Sequence, residues 1–142
     1  MSEHTHEHMV MPKHGEFCWT EVAVTDLEKC KSFYTNVFGW EFAQSKAMDG
    51  EMQYLEFSSS GAAEPDAAIY EINADMFGGT APPPHIAVYV AVDDVDAAAE
   101  KAKSLGGSVL VGPENIPNVG RFAVIGDPAG AVISMIALGG GE

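Results

Sequence analysis

The chain is short of positive charge. Seven Lys and Arg stand against 21 Asp and Glu, a formal charge of −14 at pH 7. Nucleic acids are bound through cations that neutralise phosphates, so a field of this sign argues against DNA or RNA as a partner. Cysteine is scarcer still, with Cys18 and Cys30 alone. Cys18 falls at the first strand and Cys30 on the apolar stripe of the following helix, which points to two buried thiols rather than a bridge. No apolar run approaches the ~20 residues of a membrane span. The opening MSEHTHEHMV lacks the basic and apolar regions of a secretory signal. An acidic, soluble, cytoplasmic protein is expected. Its 142 residues, 46% of them apolar, suffice for one domain with a real core.

Residues 1–14 read as a flexible tail containing His4, His6, His8 and His14. Closely spaced imidazoles can bind a transition metal without any fold, so such binding is separate from an active site. The domain proper, 15–142, is organised around His85 to Gly107. From Ile86 to Val92 apolar residues alternate with period two, a strand signal. Asp94 then stands where a helix N-cap belongs. Val95, Ala98, Ala99, Ala102 and Leu105 follow at helical spacing, and Gly106-Gly107 stops the helix. Trp19 to Gly39 repeats the plan, with Asp26 in the place of Asp94 and Gly39 as the stop. The chain is an internal duplication.

Around these two units the remaining strands are expected at Trp40–Ala43, Glu51–Ser58 and Ala67–Ile72, with a hairpin turn at Asp49-Gly50. Gly78-Gly79 and Pro82-Pro83-Pro84 mark 73–84 as the linker. Further strands fall near 108–112, 121–126 and 131–138, with a loop from Gly112 to Gly120 and a turn at Asp127-Pro128-Ala129-Gly130. Each half, about 15–72 and 85–138, therefore reads βαβββ. One helix covers one face of each sheet, so two modules can pair into a curved, partly closed α+β sheet around a central cavity, helices outside.

The segments D-L-x-x-x-x-x-F-Y-x-x-x-F-G-W at Asp26–Trp40, V-D-D-V-D at Val92 and G-R-F-A-V-I-x-D-P-x-G at Gly120 resemble the vicinal oxygen chelate superfamily, the glyoxalase/bleomycin-resistance/dioxygenase fold. The resemblance runs from about Gly15 to Leu138. It implies a scaffold that hosts isomerisation, epoxide opening, ring cleavage and drug sequestration, so the reaction must be read from the site. In metal-dependent members each half contributes one ligand from its first strand and one from its last. Here those positions hold Trp19, Ala87, Ser134 and either Tyr70 or Glu71. An indole and a methyl cannot coordinate a divalent cation, so the usual metal site is expected to be absent and no cofactor is expected.

Glu21 and His85 keep a relocated metal site open, with Glu71 as a third ligand. Glu21 shares strand parity with Trp19, as His85 does with Ala87. Without metal, His85 is a locally bonded strand-end residue, and Glu21 either pairs with a cation such as Arg121 or serves as a general base. The expected cavity wall comprises Trp19, Glu21, Tyr89, Val132 and Ser134, with room left by Ala87 and Ala91. Arg121 can grip an anionic ligand through its fork, or hold Glu21 or Glu114.

Three functions fit. The first is metal-independent binding of a small, planar or aromatic molecule, with or without catalysis at Glu21. The second is a metal-dependent lyase, isomerase or dioxygenase with relocated ligands. The third is a non-catalytic interaction module with a plugged cavity. Glyoxalase I activity is not expected, and a homodimer is compatible with all three.

Overall fold

A computed structural model of the chain describes residues 11–45, 53–73 and 81–139. They form two compact units, one of Trp19–Ala87 and one of Val88 onward together with the residues before Trp19. Each unit carries one helix and a mixed sheet, the α+β module expected from the duplication.

In the first module β1 (Phe17–Val24) leads to α1 (Leu27–Phe38), then to β2 (Ala43–Gln44), β3 (Tyr54–Phe57) and β4 (Ala67–Glu71). The strand order is β2-β3-β4-β1. β1 and β4 are parallel, whereas β2–β3 and β3–β4 are antiparallel. Asp26 caps α1 by accepting from the Lys29 amide at 3.1 Å, and Gly39 ends the helix at φ 80°. That left-handed conformation is one a side chain would strain. Val22, Val24, Leu27, Leu55, Phe57 and Ile69 make the core under α1.

β2 begins later than expected. Trp40 packs on Phe57 with ring centroids 4.5 Å apart, and Phe42 packs on the same ring at 5.1 Å. Residues 40–42 thus stay outside the ladder, and the rings of Trp40 and Phe42 pack against the core. The Asp49-Gly50 turn lies outside the described residues, as do Glu51 and Met52. The thiols of Cys18 and Cys30 are free but half-buried rather than fully so. Cys30 sits at the margin of the core, where only part of its surface is covered.

In the second module β5 (His85–Ala91), α2 (Val95–Ser104), β6 (Ser108–Ile116), β7 (Gly120–Gly126) and β8 (Val132–Leu138) follow the same plan. The order is β5-β8-β7-β6, with β5 and β8 parallel. Asp94 caps α2 through the Ala97 amide at 3.0 Å. Val95, Ala99, Ala123 and Met135 form the core beneath it. β6 runs four residues past its expected end. Its register shifts between Val109 and Val111 and again between Val111 and Glu114. These bulges accommodate Gly112 and Pro113, so the strand survives residues that would otherwise end it.

The last residues of the expected tail are also placed. The Gly15 amide donates to the Ala91 carbonyl at 2.7 Å and Ala91 returns the bond to Glu16 at 2.8 Å. His14 Nδ1 accepts from the Asp93 amide at 3.0 Å, which ties this segment to the second module. His4, His6 and His8 lie outside the described residues.

Leu27 is 2% exposed and sits under the first turn of α1. Leu27→Ala removes buried methyl groups that the turn cannot replace, and should cost about 2–5 kcal/mol in denaturant unfolding. A cost below about 1 kcal/mol would show that the helix does not depend on this contact.

Candidate functional site

The pleat of the first sheet sends Val22 and Val24 of β1 toward α1 and leaves Trp19, Glu21 and Ala23 on the opposite face. β4 alternates in step: Ile69 faces the helix, Ala68 and Tyr70 face away. Register then assembles the second face. Glu21 is paired with Ala68, Ala23 with Tyr70, and Tyr70 in turn with Tyr54 of β3.

On that face a hydrogen-bonded series forms. Trp19 Nε1–H donates to the Tyr54 hydroxyl at 3.0 Å, and the Tyr54 hydroxyl donates to Glu21 Oε2 at 2.6 Å. The second bond has the length of an O–H donating to an ionised carboxylate. The Tyr54 and Tyr70 rings stack at 6.1 Å with 29° between their planes. Burial, and after it the charge on Glu21, pushes the Tyr70 phenol up from 10.0 to about 12. Tyr70 therefore remains a neutral hydrogen-bonding group at any physiological pH.

The other expected site residues take different places. Tyr89 and Ser134 are register partners on β5 and β8, and both are buried in the second module. Val132, expected in a cavity wall, is 63% exposed at the start of β8. Ala87 lies within β5 and is partly exposed. Arg121 holds neither Glu21 nor Glu114. Its Nε and Nη2 grip the two oxygens of Asp96 at 2.8 and 2.9 Å, and Nη1 reaches Asn115 at 3.0 Å. The fork is thus used to fix α2 to the sheet. His85 is exposed, its ring Nδ1 2.8 Å from the Pro83 carbonyl. Glu71 accepts from the Leu27 amide at 3.0 Å and so caps α1 rather than facing Glu21's side of the sheet. A cleft of about 200 Å³ in the second module, beside Met11 and Pro12, shares only Ala91 with the expected wall.

Tyr54 is the participant that sequence reasoning missed. Its signal was present, since Tyr54 and Glu56 share one parity of β3 while Leu55 and Phe57 share the other. Only the cross-strand register, which no single strand displays, carries Tyr54 to Glu21.

The profile of the Glyoxalase/Bleomycin resistance protein/Dioxygenase superfamily matches residues 16–135. The chain belongs to this superfamily. It is 35% identical over 128 residues to the Mycobacterium bovis protein CFP32, a glyoxylase by name, covering 86% of this chain and 44% of that one. It is 31% identical to the anthracycline biosynthesis protein DnrV of Streptomyces peucetius, covering 85% of this chain and 46% of that one. The chain thus spans under half the length of these two relatives. Among solved structures, methylmalonyl-CoA epimerase from Mycobacterium tuberculosis superposes with a TM-score of 0.57 at 17% identity, covering 92% and 93% of the two chains. Homoprotocatechuate 2,3-dioxygenase from Brevibacterium fuscum superposes at 0.59 and 19% identity, covering 89% of this chain and 37% of that one. These two likenesses concern the fold.

Within the superfamily the donor set of this chain does not fit a divalent ion at the usual positions. Trp19 has a single ring N–H, a donor already directed at Tyr54. Ala87 has no side-chain donor atom, and Glu71 is committed to the start of α1. Among the described residues no three His, Cys, Asp or Glu side chains gather into a group that could hold a metal.

The raised value of Tyr70 sets a pH dependence. A folded value above the unfolded one means that its contribution to stability is whole below pH 10.0 and is lost as pH rises through about 12. Spectrophotometric titration should show late tyrosine ionisation that loses amplitude near pH 12 in Tyr70→Phe. Glu21→Gln should lower its midpoint only in part, because burial is the larger cause. A midpoint unchanged by Glu21→Gln would separate the two groups.

Proposed function

We propose that this chain binds a small planar molecule against the face carrying Trp19, Glu21, Tyr54 and Tyr70, without the divalent ion usual in its superfamily. The observation that carries the reading is the series from Trp19 through Tyr54 to Glu21. At and beside a position that implies a metal ligand, this chain has a flat ring surface and a carboxylate held by a phenol. Flat rings with one polar tip suit stacking on a planar ligand, and the polar tips orient it. The name of DnrV, a protein of anthracycline biosynthesis, supports the same class, since anthracyclines are fused-ring compounds. Glu21 is the group on this face suited to accept a proton. Chemistry here is then proton transfer from a ligand O–H or C–H to its carboxylate.

A second reading has an observation of its own. Tyr54 is 8% exposed and Tyr70 6%, as in a face filled by its own side chains. That arrangement would make the domain a non-catalytic interaction module.

Titration with a dihydroxyanthraquinone, following indole fluorescence in a Trp40→Phe background, separates the two. Ligand binding predicts saturable quenching of Trp19 that Tyr54→Phe or Glu21→Gln weakens several-fold. Quenching that stays linear in probe concentration, unchanged by either substitution, would sink the binding reading and leave the filled face.

A further inference from the structure

We propose that α1 is a self-association surface, its uncovered apolar flank pairing with the same flank of a second copy of this chain. Leu27, Cys30 and Tyr34 turn toward the core of the first module. At about 3.6 residues per turn, Phe33 and Val37 stand one above the other on the flank beside that face. They are 58% and 54% exposed, and Phe38 in the last turn is 58% exposed. Neither a ring nor a β-branched residue is favoured in a helix for its own sake, because each loses side-chain freedom against the preceding turn. Left largely uncovered, these three add little to the core, so the fold of the module does not account for them.

The flank is also anchored. The Phe33 ring meets Tyr34 edge-on at 5.3 Å, and Tyr34 stacks on Trp40 at 5.4 Å. Phe38 lies 4.8 Å from Trp40, which packs on Phe57 of the core. Rings held in place lose little freedom on association, and anchored aromatics supply much of the energy at protein interfaces. Charge selects the partner. Copies of a chain with a formal charge of −14 repel each other. Of the two helices only α1 has a cationic balance, Lys29 and Lys31 against Glu28, whereas α2 has two of each sign. A basic partner would be drawn to the acidic remainder of the surface rather than to this helix. An apolar flank needs no opposite and can match itself across a twofold axis. The relatives point the same way. The matched region is 44% of CFP32 and 46% of DnrV, so each has in one chain the material for a second domain of this size. Pairing supplies it here from a second copy.

Sedimentation equilibrium on the full chain, from about 1 to about 100 μM, tests this. EDTA is present so that metal held by the histidines does not bridge copies. The mass should rise to twice that of one chain and stop there. Phe33→Glu and Val37→Lys should each raise the dissociation constant at least roughly tenfold. Leu105→Glu, at a residue 68% exposed in the second module, should leave it unchanged. Circular dichroism checks that the variants are folded. Cys30 gives a readout without substitution: its reaction with a maleimide should slow relative to Cys18 as the dimer forms. A chain monomeric throughout would overturn the self-pairing and leave the flank to a partner of another kind. Mass that grows beyond the dimer would overturn the twofold pairing. A dimer indifferent to both α1 substitutions, or weakened as much by Leu105→Glu, would overturn the assignment to α1. So would a Cys30 rate that dimer formation does not change.

Discussion

Alternation along β1 and β4 separates two environments that cannot be mixed, and both the core and the candidate site of the first module depend on it. Val22, Val24 and Ile69 go to the helix, and Trp19, Glu21 and Tyr70 go to the other side. A slip of one residue would turn Glu21 into the apolar layer beside Leu27 and expose the valines. An ionised carboxylate unpaired in such a layer costs several kcal/mol, against about 1.5–3 kcal/mol for each large apolar side chain buried. Register is therefore held by penalties on both sides. Parallel pairing of Val22 with Ile69 and antiparallel pairing of Tyr54 with Tyr70 are what that selection leaves.

The helices are fastened to this arrangement by charged side chains at their ends. In the first module Asp26 and Glu71 both take amides at the start of α1, one from the preceding turn and one from a strand distant in sequence. In the second, Asp94 takes an amide while Asp96 in the first turn is gripped by Arg121. The Asp96 carboxyl is held below the usual carboxylate value first by its hydrogen bond from Arg121. Acidic groups at helix starts are favoured by the exposed N–H ends, so part of the chain's large negative charge is structural in origin. Glu71 illustrates why composition alone cannot assign a role. It has the chemistry of a metal ligand and the position of a cap.

Legibility followed the range of the interaction. β1, both caps, the Gly39 stop and the two-module plan rest on residues close in sequence, and each could be read from period and capping chemistry. β2 and β6 could not. The first is displaced because Trp40 and Phe42 find Phe57, a contact across the module. The second continues because bulges opposite β7 absorb Gly112 and Pro113. At the site the same divide holds. The shared parity of Trp19 and Glu21 was visible along one strand, but the partner of Glu21 was not, because Tyr54 reaches it through two cross-strand registers. Arg121 shows it too: Glu114 stands nearer in sequence, yet the guanidinium takes Asp96 at the start of α2.

The aromatic residues at this face differ in chemistry from a set of metal ligands. A divalent ion concentrates charge at a point and orients oxygen ligands around it. Trp19 cannot serve such an ion, and its N–H instead begins a chain of donors that ends on Glu21. In that chain each bond polarises the next, because Tyr54 accepts from Trp19 and so donates more strongly to the carboxylate. The series thus ends on a carboxylate. Tyr70 registers that charge directly, since Glu21 contributes to the upward shift of its phenol.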